Sequence, residues 1–248
     1  MSDVTVTRDG LVAVVEMRRP PHNFFDHGLI AALADAFEDL AVDSQCRAIV
    51  LAAEGTSFCA GADFAGPPID ARVLYREALR LFAVPTPIVA AVHGAAIGGG
   101  LGLALAADFR VTCREARWSA NFCRLGFHPG FALTVTLPEL VGRQQAKRLL
   151  FTGARLSGEE ATTIGLADVC VAPNEVRERA VAFAAEIAIS APLAVAAVKA
   201  TLDRDRLDML RGATDHELTE QARLLATDDA REGIAAYAER RPPNFTAT

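Results

Sequence analysis

The sequence predicts an α/β core over residues 1–190 followed by a helical C-terminal region over 191–248. Three observations carry that reading. Short apolar runs alternate with helix-periodic segments in the first half of the chain. From about Leu133 the pattern turns almost wholly helical. The 248 residues are 51% hydrophobic and 23% charged, a balance that buries a large core and is foreign to a disordered chain.

The elements follow in order. Val4 and Val6, then Leu11, Ala13, Val15 and Met17, alternate around Asp9-Gly10 and predict a hairpin with a two-residue turn. Leu29, Ile30, Leu33, Phe37, Leu40 and Ala41 have helical spacing. Ala48 to Ala52 reads as a buried strand. Leu74 to Leu81 reads as a helix stopped before Pro85. Ile88 to Val92 is again a strand, Gly100 to Ala107 a helix, and Phe109 to Thr112 a strand. Helices are expected over Leu133–Val141, Arg143–Phe151, Ser157–Ile164, Asn174–Ile189, Pro192–Asp205, Leu207–Ala226 and Ala230–Arg240, with Asp168 to Val171 as a lone strand. Ser157 followed by Glu160 is a capping box.

Several classes are excluded. The formal charge is −6 and aromatics are 6%, so neither a nucleic-acid footprint nor a base-stacking platform is expected. Residues 88–107 carry no formal charge, but five glycines and His93 interrupt them. They read as strand, glycine turn and helix, not as a membrane span. Cys46, Cys59, Cys113, Cys123 and Cys170 are odd in number and form no CxxC pair. No disulfide frame or metal site is expected. The start, MSDVTVTRDG, has no apolar signal core, so the expected location is cytoplasmic. There is no GxxxxGK[ST], no complete GxGxxG and no GxSxG, and His216-Glu217 lacks a second zinc-binding histidine.

Two glycine segments remain. SFCAGAD, Ser57 to Asp63, follows the strand ending near Ala52. AAVHGAAIGGGLGLALAADFRV, Ala90 to Val111, follows another strand and opens a helix. N–H groups at a helix start lack internal partners and carry partial positive charge. Gly98, Gly99 and Gly100 would let a ligand oxygen approach them closely. Two converging N–H groups would make an oxyanion hole suited to a thioester carbonyl becoming an enolate. Alone, a glycine triplet is equally explained by tight strand–helix packing.

Together the segments resemble the crotonase superfamily, the enoyl-CoA hydratase/isomerase family. The resemblance spans nearly the whole chain: the Arg19-Pro20 turn and Asn23, AIVLAAEGTSFCAGAD, PIVAAVHGAAIGGGLGLALAADFRV, LGFHPG at 125–130, LLFTGARLSGEEATTIGLADVCV, and LATDDAREGIAAYAERRPPNF at 225–245. It implies a core of repeated strand–strand–helix turns and a helical C-terminal region that supports a homotrimer or a dimer of trimers. It also implies an acyl-CoA thioester as substrate, with coenzyme A arriving as part of it and no metal or redox cofactor. By position, the oxyanion donors would be the backbone N–H groups of Ala62 and Gly99. Cys59 and Ala60 would line the adenine pocket, and Asp63, Phe64, Gly98 and Phe122 would border the substrate. Tyr237 and Arg240 match positions that approach the CoA of a neighbouring subunit, and Arg18 or Arg19 could meet its phosphates.

The resemblance breaks at the acid/base groups. The family's hydratases use two glutamates. The first lies three residues after the middle glycine of the triplet, here Gly102. The second lies four residues before the loop glycine, here Phe122. The aspartate that some relatives carry four residues after that glycine is Gly130 here. Neither Gly nor Phe moves a proton. His128, on the LGFHPG loop, is the leading replacement because imidazole titrates near neutrality; a loop histidine bonded to backbone is the plain alternative. Asn121, Arg124, Asp63, Tyr75, Glu77 and Cys123 are further polar neighbours. Three functions are consistent with these residues: an enolate-forming enzyme other than a standard hydratase (an isomerase, a decarboxylase, or a C–C or thioester cleaving lyase), a non-catalytic acyl-CoA binder, and a structural partner in a larger complex.

Overall fold

The computed structural model describes residues 2–64, 66 and 69–248. Nine strands form two sheets among these residues. The larger has the order β1(Val4–Asp9)-β2(Val12–Met17)-β3(Ala48–Ala53)-β5(Ile88–Val92)-β7(Phe109–Cys113)-β9(Val169–Val171). Only the β1–β2 pair is antiparallel. The smaller, all-parallel sheet is β4(Ser57–Cys59)-β6(Ala95–Ile97)-β8(Arg117–Ser119). Each turn of the core supplies one strand to each sheet and then a helix. β3 and β4 lead to α2(Ala71–Phe82), β5 and β6 to α3(Gly99–Leu105), and β7 and β8 to a short 3-10 helix, Asn121–Leu125. This is the repeated unit the resemblance implies.

Local chemistry fixes the ends of the elements. Asp26 starts α1(His27–Ala41) by accepting the Leu29 N–H at 2.8 Å. Leu29, Ile30, Leu33, Ala34, Phe37 and Leu40 form its buried face. Ser157 and Glu160 make the reciprocal capping box at α5(Gly158–Thr163). α3 differs: its first residues are glycines and no side chain caps it, so its first N–H groups stay open to a ligand. The core is closed by Trp118, Phe37, Phe58 and Phe131, all fully buried.

The structure departs from the sequence reading at several elements. The hairpin turn is Gly10-Leu11, one residue later than expected, since Asp9 pairs with Val12; Gly10 takes the positive φ of +58° that the turn needs. The strand at 169–171 is not alone. It pairs with β7 and ends the large sheet, with Asp168 accepting the Arg110 N–H at 2.7 Å. The helices expected at 133–141 and 143–151, by contrast, are both present as the two halves of α4(Leu133–Thr152), separated by a kink at Gly142, where φ is +73°.

The C-terminal helices are α6(Val176–Ala188), α7(Pro192–Leu202), α8(Arg206–Leu225) and α9(Asp228–Glu239). α6 packs across the large sheet, α8 against α2 and α4, and α9 against the 3-10 helix. α7 buries none of its residues. Residues 88–107 resolve into β5, β6 and α3. No single helix among the described residues is long and apolar enough to cross a membrane. One pair, Pro173–Ala188 with Pro192–Leu202, reaches that length only in combination and is bent by 101°.

Candidate active site

The loop before α1 sets the site. Asn23 is fully buried and its side chain is saturated. Its Oδ1 accepts the Arg19 N–H at 2.9 Å, and its Nδ2 donates to the carbonyls of Glu54 at 2.6 Å and Ser57 at 2.8 Å. That anchorage delivers Phe25, whose N–H donates to the Gly61 carbonyl at 3.0 Å. Phe25 and Ala62 form an isolated parallel bridge, so the SFCAGAD segment leaves β4 in a fixed direction.

The two glycine segments meet there. A Cβ on Gly61 would lie 2.8 Å from the Ile97 carbonyl and 3.6 Å from the Gly99 nitrogen. A Cβ on Gly100 would lie 2.0 Å from the Cys59 carbonyl. Both positions exclude a side chain, and the backbones around Ala62 and Gly99 are thereby brought side by side. Neither N–H has an acceptor among the described residues. The Phe25 ring covers Gly99, its Cζ 2.4 Å from where a Cβ would stand. Two free N–H groups beside an apolar ring are the makings of an oxyanion hole.

They open into a cavity of about 1300 Å³. Of the residues expected at the site, Ala60, Ala62, Asp63, Phe64, Gly98, Gly99, Phe122 and Tyr237 line it. Cys59 does not; it is fully buried beneath the segment, and burial pushes its thiol up to about 12, which leaves it a neutral packing group. Arg240 is exposed and does not line the cavity. Arg18 pairs with Glu54, and Arg19 with Asp3 and Asp26, so both sit outside it. Tyr237 reaches the cavity of its own chain, because α8 and α9 fold back over it with Gln221, Leu225 and Ile234.

The expectation for His128 is not met. Its Nδ1 lies 2.8 Å from the Pro129 carbonyl, its ring stands edge-on to His216 at 5.8 Å, and it does not line the cavity. The physical reason is Gln221, whose Nε2 donates to the His128 carbonyl at 2.9 Å and fixes the loop with the imidazole turned toward α8.

Aromatic rings occupy the positions where the resemblance expects carboxylates. A Cβ on Gly102 would fall 2.6 Å from Phe131 Cβ and 2.8 Å from its Cγ, so Phe131 fills the room of a side chain at 102. Phe122 is 7% exposed, lies against Gly98 and packs edge-on to Phe127 at 5.7 Å, which packs in turn on Phe64 at 5.8 Å. At Gly130 a Cβ would lie 1.8 Å from Tyr75 Oη, so a phenol takes that third place.

The segment carrying Phe131 is held from a distance. Phe131 and Ala132 both have positive φ, +62° and +59°, costly for residues with a side chain. Glu217, fully buried on α8, secures them. It accepts the N–H groups of Ala132 at 2.8 Å and Thr134 at 3.0 Å and the Thr134 hydroxyl at 2.6 Å. Burial raises its proton affinity, while three donors aimed at it favour the carboxylate. Sequence reasoning missed Glu217, Gln221 and the position of Phe25 over Gly99. No local signal marks the first two, which act across more than 80 residues of chain. Among the described residues no group of three His, Cys, Asp or Glu side chains could hold a metal.

Comparison with known proteins agrees with this geometry. A family profile described as enoyl-CoA hydratase/isomerase matches residues 7–248. A probable enoyl-CoA hydratase of Bacillus subtilis is 32% identical, over 99% of each chain. The human enoyl-CoA hydratase domain-containing protein 2, mitochondrial, is 36% identical over 95% of this chain and 85% of its own length. Among solved structures, an enoyl-CoA hydratase/isomerase from Pseudoalteromonas atlantica superposes with a TM-score of 0.89 at 30% identity, covering 99% of this chain and 100% of the other. An enoyl-CoA hydratase from Mycobacterium avium subsp. paratuberculosis gives 0.87 at 28%, covering 99% of both. With its repeated strand–strand–helix core and paired glycine segments, this chain belongs to the enoyl-CoA hydratase/isomerase family of the crotonase superfamily, whose members are enzymes acting on acyl-CoA thioesters.

Proposed function

We propose that the cavity binds an acyl-CoA thioester, with its carbonyl oxygen on the N–H groups of Ala62 and Gly99, and that the protein stabilises the derived enolate in a reaction other than standard hydration. The observation that carries this is the pairing of an intact donor site with aromatic rings at both carboxylate positions, Phe131 over Gly102 and Phe122 itself. Hydration needs one group to orient water and another to protonate carbon, each worth roughly 10²–10⁴-fold. An oxyanion donor is worth on the order of 10²–10³-fold and survives here. Isomerisation, decarboxylation and C–C or thioester cleavage draw on that donor site. Decarboxylation fits best with few proton-moving groups: the C–C bond to the carboxylate breaks, its electron pair forms the enolate, and CO2 leaves without a general base. The filling of both acid positions also favours a second reading, a non-catalytic acyl-CoA binder.

One experiment separates these readings. The protein is incubated with a panel of acyl-CoA and malonyl-type thioesters, and both binding and product are measured. Turnover with binding supports the enzyme; binding alone supports the carrier. In either case Gly99→Val, whose side chain collides with Phe25, weakens thioester affinity or turnover. A folded Gly99→Val protein with unchanged affinity and turnover removes the oxyanion site from the argument. Crotonyl-CoA hydration at the rate of a two-glutamate enzyme refutes the claim about Gly102 and Phe122.

Two further expectations belong to the same reading. The five free thiols fit a reducing compartment, and the cytoplasm is the one we propose. A homotrimer or dimer of trimers is supported by the apolar surface around α7, where Ile189, Leu193 and Leu202 are 83%, 86% and 78% exposed.

A further inference from the structure

One wall of the cavity breaks the apolar pattern. Tyr75 on α2 and Gln221 on α8 stand among Leu74, Phe25 and Phe131, all five less than 8% exposed, with Leu225 more open at 43%. The Tyr75 hydroxyl donates to Gln221 Oε1 at 2.7 Å. Gln221 Nε2 spends one N–H on the His128 carbonyl. Its second N–H has no acceptor among the described residues, whereas the Tyr75 oxygen also receives the Phe131 backbone N–H. Gly130 makes room for both groups: a Cβ there would lie 1.8 Å from Tyr75 Oη and 2.6 Å from Gln221 Nε2. Two buried polar side chains and one obligatory glycine thus converge on the cavity, with one Gln221 N–H left to offer.

Their place along the cavity is set by the rings. Phe25 covers Gly99, Phe131 packs on Phe25 at 5.7 Å between centroids, and Tyr75 lies beyond, against Gly130. Phe25 and Phe131 therefore stand between the pair and the oxyanion donors. The pair's charge also matters. Burial and the nearby Glu217 charge raise the Tyr75 proton affinity, so the phenol stays neutral, and the same Glu217 carboxylate disfavours an anionic acyl terminus.

We infer that Tyr75 and Gln221 form a subsite for an uncharged oxygen on the acyl chain, so that the substrate is a keto- or hydroxyacyl-CoA and not a plain alkyl thioester. This rests on the acyl-CoA reading above. A keto oxygen accepts the free Gln221 N–H. A hydroxyl oxygen does the same. An alkyl chain leaves that buried N–H unpaired, which disfavours it.

The test is titration calorimetry of the intact protein with hexanoyl-CoA and its 3-oxo, 5-oxo and 5-hydroxy analogues. At least one oxygenated thioester binds on the order of tenfold more tightly than hexanoyl-CoA. Tyr75→Phe and Gln221→Met each move that ratio toward one while hexanoyl-CoA affinity changes less. Wild-type protein that binds hexanoyl-CoA as well as every analogue overturns the subsite and leaves the acyl-CoA reading standing. Failure to bind any of the four overturns both. Variants that weaken all four ligands by the same factor show that the pair only ties α2 to α8, and that also overturns the proposal. Should a variant fail to fold, the wild-type ratio decides alone.

Discussion

Adding a single methyl group at Gly102 tests how the chamber is built. The new Cβ would sit 2.6 Å from Phe131 Cβ, 2.8 Å from Cγ and 2.9 Å from Cδ1, against an ordinary carbon–carbon contact of about 3.5–4.0 Å. Phe131 cannot swing aside cheaply, because its Cβ is fixed to a backbone at φ +62° and its ring is fully buried. Overpacking of this kind costs about 1–3 kcal/mol. Replacing a helical glycine by alanine returns up to about 1 kcal/mol, so Gly102→Ala is net destabilising by up to about 2 kcal/mol. Phe131→Gly on its own is costly, about 3–5 kcal/mol by analogy with Phe→Ala, although glycine suits the positive φ. In the Phe131→Gly background the obstruction is gone, and Gly102→Ala becomes neutral or stabilising. Urea unfolding of the four proteins measures the coupling, expected at about 1–3 kcal/mol. Equal costs of Gly102→Ala in both backgrounds would show that Phe131 does not occupy the missing side chain's place.

Two more predictions follow from buried and exposed surface. Glu217→Gln sets an amide N–H₂ against donors at Ala132 and Thr134; it lowers stability by about 1.5–3 kcal/mol, which for a chain of this size is about 3–12 °C in Tm at about 2–4 °C per kcal/mol, and an unchanged thermal transition would refute its role as anchor of the strained turn. Leu193→Asp on α7 puts a charge into the exposed apolar surface and shifts sedimentation from trimer toward monomer, whereas a monomeric wild-type protein would sink the assembly argument.

Most of the fold is legible in the sequence because the long elements carry their period openly. The apolar face of α1 and the run Ile88–Val92 match the structure directly. The small sheet was not legible: β4, β6 and β8 are three residues each, too short for alternation to register against glycine-rich flanks. The oxyanion segments were legible because their requirement is local, a strand followed by small residues at a helix start. Leu210 is buried and Leu207, Leu218 and Leu224 pack within the chain, while the exposed apolar surface lies on α7. Periodicity identifies an apolar face and is silent on whether the same chain covers it.

His128 and Tyr75 mark the limit of reading a site from chain position. His128 belongs to a loop that borders the cavity, yet one hydrogen bond from Gln221, 93 residues away, turns its ring out. Tyr75 is an ordinary helix residue whose hydroxyl reaches the chamber only because Gly130 is bare. The aromatic replacements are linked in the same way. Phe131 fills the place beside Gly102, packs on Phe25, and Phe25 covers Gly99. The bare position at 102 is therefore built into the wall that covers Gly99. Placing a glutamate at 102 alone would drive it into Phe131 and disturb Phe25 and Gly99 together. A side chain at 102 requires the ring to leave first, and the order of substitutions is set by packing before it is set by chemistry.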